Sequence, residues 1–233
     1  LLNLRSGVGT IADASFAGAS VRAASEAGLR GVVGIEAFGG KGADPAPIVA
    51  STWERIQAHR AEASPLLRVG LSPHAPYTVT PALYRSLDEL ARAEGLDIIT
   101  HVAESAGELE AIDAGTGPVA VALRELAEVE ASGCHPVDLI ADLGLLRPGV
   151  LLVHMVQITP EHARMVAAGG AGIAHCPRSN AQLGCGAAPL ADMRTAGAVV
   201  GIGTDSPASA IDFDLWAELR AAIHTARARE ALP

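Results

Sequence analysis

The chain has 233 residues, enough for one large α/β domain or two small ones, and 49% of them are hydrophobic, which allows a sizeable core and excludes wholesale disorder. Aromatic residues make up only 3%, so this core must be built from Ala, Val, Leu and Ile. The formal net charge of −9 argues against binding to a nucleic-acid backbone or to an anionic membrane surface.

Seven short apolar runs with β-type composition follow one another along the chain. They are continuous rather than alternating between apolar and polar residues, which is typical of parallel strands buried on both faces. The predicted strands cover residues 9–15, 31–38, 66–73, 96–103, 150–156, 171–177 and 198–205.

Amphipathic, alanine-rich stretches separate these runs and predict helices. They include residues 17–28, 80–94, 159–168 and 212–229, and the longer stretch 106–149 predicts two or three helices. Thr80 and Thr159 are each followed by proline, which places an N-cap residue before a proline at the first helical position. The alternation predicts βα units throughout.

Such units form either a doubly wound sheet or a (β/α)8 barrel. In a barrel, reactive side chains lie at the carboxyl ends of many strands, and polar residues stand at or just past several of the predicted ends. A doubly wound sheet usually has a glycine-rich phosphate loop, and the chain contains neither GxGxxG nor GxxxxGK[ST]. We therefore predict a (β/α)8 barrel forming one domain over residues 1–233. The polar residues at the strand ends are His74, His101, His154, His175 and Asp205.

Three of these strand-end residues suit a metal site. His101, His154 and Asp205 offer two imidazoles and one carboxylate, a donor set that fits Zn²⁺. Glu104 follows one helical step beyond His101, is expected to point into the same cavity, and is a natural proton carrier. The remaining histidines lie in helical or loop patterns, and we interpret them as structural: His59, His135, His162 and His224.

Five segments resemble the amidohydrolase superfamily, and in particular its deaminases of aminopurine nucleosides. They are SPHAPYT (72–78), THVAES (100–105), VHMVQITPE (153–161), HCPRSNAQLGCGAAPL (175–190) and GTDSPAS (203–209). The segment 175–190 is most similar to the group that contains aminofutalosine, S-adenosylhomocysteine and adenosine deaminases. The resemblance runs along the whole chain.

The resemblance implies a role for each matching residue. His101 and His154 are metal ligands, and Asp205 is a further ligand and the base that takes a proton from the attacking water. Glu104 protonates the ring nitrogen beside the carbon under attack, and His74 holds the substrate. The pocket lining then includes Arg178, Asn180 and Ser206, whereas Cys176 and Cys185 are packing thiols.

The chain departs from this family at one point. Members carry an H-x-H pair on the first barrel strand, which supplies two more metal ligands, and no H-x-H occurs in these 233 residues. We therefore expect the seven strands to be strands 2–8 of an incomplete barrel, truncated at its N-terminus and lacking the flanking β-sandwich. Expressed as it stands, the chain is expected to be inactive.

Lysine usage favours one metal ion over two. Binuclear family members bridge their metals with a carboxylated lysine on a barrel strand, and the only lysine here, Lys41, lies in a glycine-rich loop. The resemblance thus implies hydrolytic deamination of an aminopurine nucleoside or similar amino-heterocycle with one divalent metal, Zn²⁺ or alternatively Fe²⁺.

Two other functions stay open on the sequence. The same barrel can act as a chlorohydrolase or on a guanine-like ring, and a metal-free binding barrel with a vestigial site is the alternative from another class. The expected partner is the small-molecule substrate, with no nucleic acid and no membrane; a homodimer is not excluded. Three cysteines without a CxxC pair argue against a disulfide scaffold and favour the cytoplasm.

Overall fold

The computed structural model describes residues 2–125 and 128–231. Within them, seven parallel strands form one curled sheet in sequential order, each strand pairing with the next along the chain. The strands are β1 (Thr10–Ser15), β2 (Arg30–Ala37), β3 (Leu67–Pro73), β4 (Ile98–Val102), β5 (Val150–His154), β6 (Gly172–His175) and β7 (Val199–Ile202).

Helices occupy the connections between these strands and precede and follow them. They are α1 (Leu2–Arg5), α2 (Ala19–Glu26), α3 (Pro45–Arg60), α4 (Pro81–Glu94), α5 (Ala106–Ala114), α6 (Gly117–Leu123), α7 (Pro136–Asp142), α8 (Pro160–Gly169), α9 (Pro177–Gln182), α10 (Leu190–Thr195), α11 (Pro207–Ala210) and α12 (Leu215–Glu230). None of those in the described residues is long and apolar enough to cross a membrane.

Local sequence explains where several helices begin. The hydroxyl of Thr80 accepts a hydrogen bond from the backbone N–H of Leu83 at 3.3 Å, and Thr159 caps α8 in the same way. A proline follows each cap at the first helical position, where its missing N–H costs nothing. These starts fix the positions at which α4 and α8 leave the carboxyl ends of β3 and β5.

The core lies between the sheet and its helices. Apolar side chains of the central strands, such as Leu71, Ile98 and Leu152, are fully or almost fully buried and pack against helix residues such as Leu83 and Ile140. Because both faces of these strands are covered, their sequences read as continuous apolar runs. Burial on this scale is the main term that stabilises the sheet.

The two outer strands differ from the central ones. Among the described residues, β1 pairs only with β2 and β7 only with β6, so the sheet does not close on itself. Their side chains are correspondingly more exposed, and Val199 on β7 is 74% exposed. An open, curled, parallel sheet of seven strands with helices between them is the incomplete (β/α)8 barrel that the sequence predicts, and the prediction is confirmed.

The predicted element ends need small corrections. The strand predicted over 198–205 ends at Ile202, so Asp205 lies in the following loop, and the strand predicted over 150–156 ends at His154. The last helix begins at Leu215 rather than at residue 212, because the short helix α11 and an Asp214 cap precede it. The stretch 106–149 contains α5, α6 and α7, with residues 126 and 127 outside the described part.

Candidate functional site

Polar side chains gather at the carboxyl edge of the sheet. His101 lies within β4, His154 and His175 are the last residues of β5 and β6, and Asp205 follows the end of β7 by three residues. Burial lowers the pKa of His175 to about 4, so its imidazole is neutral at physiological pH. Parallel strands bring these four side chains to a common rim.

The tightest cluster of potential metal ligands consists of Glu104, His154 and Asp205. One donor atom from each lies within 4.8 Å of the other two. His154 Nε2 is 3.6 Å from Glu104 Oε1, and the side chain of His154 is 2% exposed. The sequence assigns Glu104 to proton transfer rather than to the metal, and the structure brings its carboxylate as close as the expected ligands.

A buried amide fixes the tautomer of His154. Its Nδ1 is 2.9 Å from Oδ1 of Asn180, which is 1% exposed and lies on α9. An amide oxygen only accepts, so Nδ1 carries the proton and donates, leaving the lone pair on Nε2. Orientation of a ligand histidine by a partner on its other nitrogen is common at metal sites. The sequence predicts that Asn180 lines the pocket, and in the structure it contacts the Nδ1 side of the His154 ring.

His101 is held in the same manner. Its Nδ1 donates to the carbonyl oxygen of His74 at 2.8 Å, which leaves the lone pair on Nε2. Burial, followed by the nearby imidazole of His154, lowers the pKa of His101, so the ring is neutral. The ring centroids of His101 and His154 are 5.4 Å apart. His101 therefore stands beside the tight cluster rather than within it.

Three hydrogen bonds orient the Asp205 carboxylate. Oδ2 accepts from the hydroxyls of Ser179 at 2.6 Å and Ser209 at 3.2 Å, and Oδ1 accepts from the backbone N–H of Ser206 at 2.7 Å. These bonds fix the direction in which the carboxylate points. Ser179 and Ser209 are contacts that the sequence reasoning missed, since a serine gives no signal of its own.

Backbone strain is concentrated at this edge of the sheet. Non-glycine residues with positive φ include Ala103 (51°), His154 (74°), Met155 (52°) and Asp205 (59°). Each such conformation costs on the order of 1–3 kcal/mol and persists only where the surrounding structure enforces it. These four lie at the ends of β4 and β5 and after β7, where the chain must turn the functional side chains inward.

Glu104 lies in the turn between β4 and α5. The sequence places it one helical step beyond His101, and this is wrong, because residues 103–105 are not helical and α5 begins only at Ala106. Its Oε1 is 3.7 Å from the Cys185 thiol, a donor that burial keeps protonated by raising its pKa to about 12. Its backbone N–H donates to the carboxylate of Glu108 at 2.7 Å.

Glu108 is a further residue that sequence reasoning missed. It is fully buried beneath the turn that carries Glu104, and burial raises its pKa to about 8. The pattern Ser105-x-x-Glu108 is a capping-box signature, which signals the start of a helix but gives no indication of a site.

His74 follows β3 and faces His101. Its Nδ1 is 2.7 Å from the hydroxyl of Thr78, which itself donates to the Ala75 carbonyl, so His74 Nδ1 donates and Nε2 is left free. Burial and the neighbouring imidazoles of His101 and His154 lower its pKa to about 4. A neutral imidazole with a free nitrogen at this rim can accept a hydrogen bond from a ligand.

The other predicted pocket residues make structural contacts. The Arg178 guanidinium pairs with Asp212 at 2.7 Å and donates to the Ala210 carbonyl, and the hydroxyl of Ser206 caps α11 by accepting from the N–H of Ala208. Neither of these side-chain contacts involves the tight cluster, which Ser206 reaches through its backbone N–H bond to Asp205. Their substrate-binding roles stay predictions.

A cavity of about 330 Å³ opens beside Glu104. Its walls are mostly apolar, with Tyr77, Val119, Leu123 and Leu183 among them, and Cys185 stands next to the carboxylate. Small-molecule sites typically have this combination of apolar walls and few polar groups. Lys41 is elsewhere, on the surface, where its ammonium contacts Glu128 at 2.6 Å.

Sequence comparison assigns this arrangement to a family. The model of the amidohydrolase family matches residues 2–232. The chain belongs to this family. Membership in this family agrees with the parallel curled sheet and with the histidines and carboxylates at its carboxyl edge.

Two relatives of this chain are named as deaminases. The aminodeoxyfutalosine deaminase of Deinococcus radiodurans is 40% identical over 167 residues, covering 67% of this chain and 38% of the relative. The 5-methylthioadenosine/S-adenosylhomocysteine deaminase of Moorella thermoacetica is 34% identical over 225 residues, covering 94% of this chain and 47% of the relative. The chain spans less than half the length of these relatives.

A solved structure shows the same fold. An adenosine deaminase from Xanthomonas campestris with bound zinc superimposes with a TM-score of 0.81 at 26% identity, covering 99% of this chain and 49% of that one. The likeness includes the whole of the sheet described above and extends the relationship to a third deaminase of adenine-type compounds.

Proposed function

We propose that the intact protein carrying this amidohydrolase chain removes the exocyclic amine of an adenine-type nucleoside by hydrolysis. The observation that carries the proposal is the convergence of Glu104, His154 and Asp205 within 4.8 Å at the carboxyl edge of the sheet. The relatives named above, which act on aminodeoxyfutalosine and on 5-methylthioadenosine or S-adenosylhomocysteine, support the substrate class.

The donor chemistry of these residues fits a divalent metal. His101 and His154 both carry their proton on Nδ1, which leaves the Nε2 lone pairs available, and Asp205 adds an oriented carboxylate. Two imidazoles and a carboxylate suit Zn²⁺, our proposed metal, and Fe²⁺ is the alternative. When bound, such a metal supplies a nucleophile at neutral pH by lowering the pKa of a coordinated water toward ~7.

The side chains of this chain handle the protons. Asp205 accepts the proton of the attacking water as its oxygen bonds to the amine-bearing ring carbon. Glu104 gives a proton to the neighbouring ring nitrogen, and Asp205 passes the proton it took from the water to the exocyclic amine. The carbon–nitrogen bond then breaks and releases ammonia, and the proton left on the new hydroxyl returns to Glu104 as the ring carbonyl forms. His74 binds the substrate through its free Nε2, since Thr78 holds the other nitrogen. Arg178, Asn180 and Ser206 complete the proposed pocket. Asn180 contacts the ring of His154, and the backbone N–H of Ser206 donates to Asp205.

The cavity beside Glu104 supports a heteroaromatic substrate. A flat ring can lie against Tyr77 and Leu183 while a ring nitrogen faces the only carboxylate among the lining residues. The free thiols of all three cysteines support our further proposal of a cytoplasmic protein. We also keep the single barrel domain over 1–233 and a possible homodimer as proposals.

A substrate panel tests the proposed function. Zinc-loaded intact protein is incubated with adenosine, 5-methylthioadenosine, guanine and a chlorotriazine, and ammonia and chloride are measured separately. We expect ammonia from the adenine nucleosides at a kcat/KM at least about tenfold above guanine, with no chloride released. Chloride release would favour the chlorohydrolase alternative. A protein that retains no metal and releases neither product would favour the binding barrel.

A further inference from the structure

The carboxylate of Glu108 bridges two successive backbone amides at the site. Its Oε1 accepts from the N–H of Ala103 at 2.8 Å and its Oε2 accepts from the N–H of Glu104 at 2.7 Å. The Glu108 N–H in turn donates to the hydroxyl of Ser105, the N-cap of α5, at 3.2 Å. One buried side chain therefore holds the backbone of the residue that is assigned to proton transfer.

This arrangement goes beyond an ordinary helix cap. In a capping box the acidic side chain reaches back to the N–H of the N-cap residue, which here is Ser105. The Glu108 carboxylate instead passes that residue and binds the two before it. One of them, Ala103, is fully buried and has a φ of 51°. The two hydrogen bonds thus hold a strained turn immediately beside Glu104.

Retaining a carboxyl group at this depth is costly. Burial raises the pKa of Glu108, although the N–H groups of Glu104 and Ala103 act in the opposite direction. An apolar side chain would avoid the burial cost but would leave the N–H of Ala103 without a hydrogen-bond partner in the core, which is itself unfavourable. Burial of a carboxyl group despite this cost is consistent with a requirement for one specific backbone conformation at this turn.

We propose that Glu108 is the positioning residue that aims Glu104 at the substrate. It acts through the backbone of residues 103 and 104 and touches neither substrate nor metal. The proposal rests on the proposed function, because it presupposes that Glu104 transfers a proton. Proton transfer requires the carboxylate to be within hydrogen-bond reach of the ring nitrogen, and a displacement of about 1 Å can cost on the order of 10²-fold in rate.

A double-mutant cycle on the zinc-loaded intact protein tests this proposal. Glu108→Gln keeps one acceptor oxygen but turns an NH2 group toward a backbone N–H. We expect kcat to fall by about 10- to 100-fold with KM changed less than about twofold. In the Glu104→Gln background, Glu108→Gln should lower kcat by less than about twofold further, because the group that it positions is already gone.

Asp88→Asn is the matched control. Asp88 is another buried carboxylate, but it lies on α4 and pairs with Arg92 and Arg147. We expect this variant to lower the unfolding temperature and to leave kcat unchanged in both backgrounds. Glu108→Asp, which retains the carboxyl group but withdraws it by one methylene, replaces Glu108→Gln if the latter does not fold.

The outcomes separate the two proposals. A Glu108 variant with lowered stability and wild-type kcat, or one whose rate loss multiplies with that of Glu104→Gln, would overturn the positioning role. Full activity of Glu104→Gln alone would instead overturn the role of Glu104 in the proposed function. A rate loss that disappears in the Glu104→Gln background supports both.

Discussion

Three carboxyl groups at this site have different surroundings. Asp205 accepts hydrogen bonds from two hydroxyls and one backbone N–H, which orient its carboxylate. Glu104 faces the cavity and contacts the Cys185 thiol. Glu108 is fully buried beneath the turn that carries Glu104, and burial raises its pKa to about 8. We propose on these grounds that Asp205 is a ligand, Glu104 the proton carrier and Glu108 the residue that supports it.

Substitution at two of these positions distinguishes the ligand from the proton carrier. Glu104→Gln is expected to lower kcat by ~10²–10⁴-fold, the usual range for general acid–base groups, and to keep the metal content near that of wild type. Asp205→Asn is expected to lower both kcat and metal content. Steady-state kinetics and metal analysis of the same preparations make the comparison.

The proximity of Glu104 to His154 and Asp205 makes this result informative. If Glu104→Gln also loses its metal, Glu104 is a ligand and the assignment of the proton carrier is wrong. Glu161→Gln, which removes an exposed carboxylate paired with Arg164, serves as the control that should change neither quantity.

At the scale of elements, one helix cap is a histidine, whose ring can take up a proton. His135 caps α7: its Nδ1 accepts from the N–H of Val137 at 3.1 Å, and its Nε2 donates to the carbonyl of Gln157 at 2.8 Å. The Nδ1 lone pair is essential to the cap, so protonation breaks it. Burial, the largest effect, lowers the pKa of His135 below its ordinary value of 6.5.

This cap predicts a pH dependence of stability. As the pH falls below about 6.5, the unfolded chain takes up a proton at His135 before the folded chain does, so the free energy of unfolding decreases. His135→Asn keeps a good N-cap without a titrating ring. We expect its urea-derived unfolding free energy to fall less than that of wild type between pH 7 and pH 5.

The difference should be only part of the one-proton limit of about 1.4 kcal/mol per pH unit, because solvent screens the half-buried ring. His224→Asn is the control, since His224 is exposed on α12. Parallel pH profiles for wild type and His135→Asn would contradict this account of the cap.

The sequence predicts these elements to different degrees. All seven strands were predictable from their continuous apolar runs, which reflect burial on both faces for the central strands. The outer strands β1 and β7 have the same kind of run although their side chains are more exposed. The residues at which the strands end were less predictable, because the amino-acid composition does not indicate a positive φ at His154 or Asp205. Helices α9 and α10 have six residues each, too few to give a helical period.

The site shows the same division. Strand-end residues such as His154 were predictable because parallel strands share one carboxyl edge. The relative distances of His101 and Glu104 were not, since they depend on the strained turn at 103–105. The contacts of Glu108 were not predictable either, because a capping-box sequence is the same whether the helix begins at the surface or beneath a functional site.

At the scale of the whole molecule, the open sheet leaves strand edges and apolar side chains exposed. In the described residues, β1 and β7 each have one unpaired edge, and exposed apolar side chains such as Phe16 and Val199 lie on or near them. Unpaired edges of this kind readily pair with other chains. The chain also spans less than half of the deaminases that it matches, so activity is best measured on the intact protein.

The central claim is that the site performs metal-dependent deamination, and a zinc titration tests it most directly. Metal-free intact protein is titrated with Zn²⁺ while bound zinc and ammonia release from 5-methylthioadenosine are measured on the same samples. We expect activity to be absent at the start, to rise in proportion to bound zinc and to level off at one zinc per chain. Full activity of the metal-free protein, or one bound zinc per chain without ammonia from any adenine-type nucleoside, would contradict the claim.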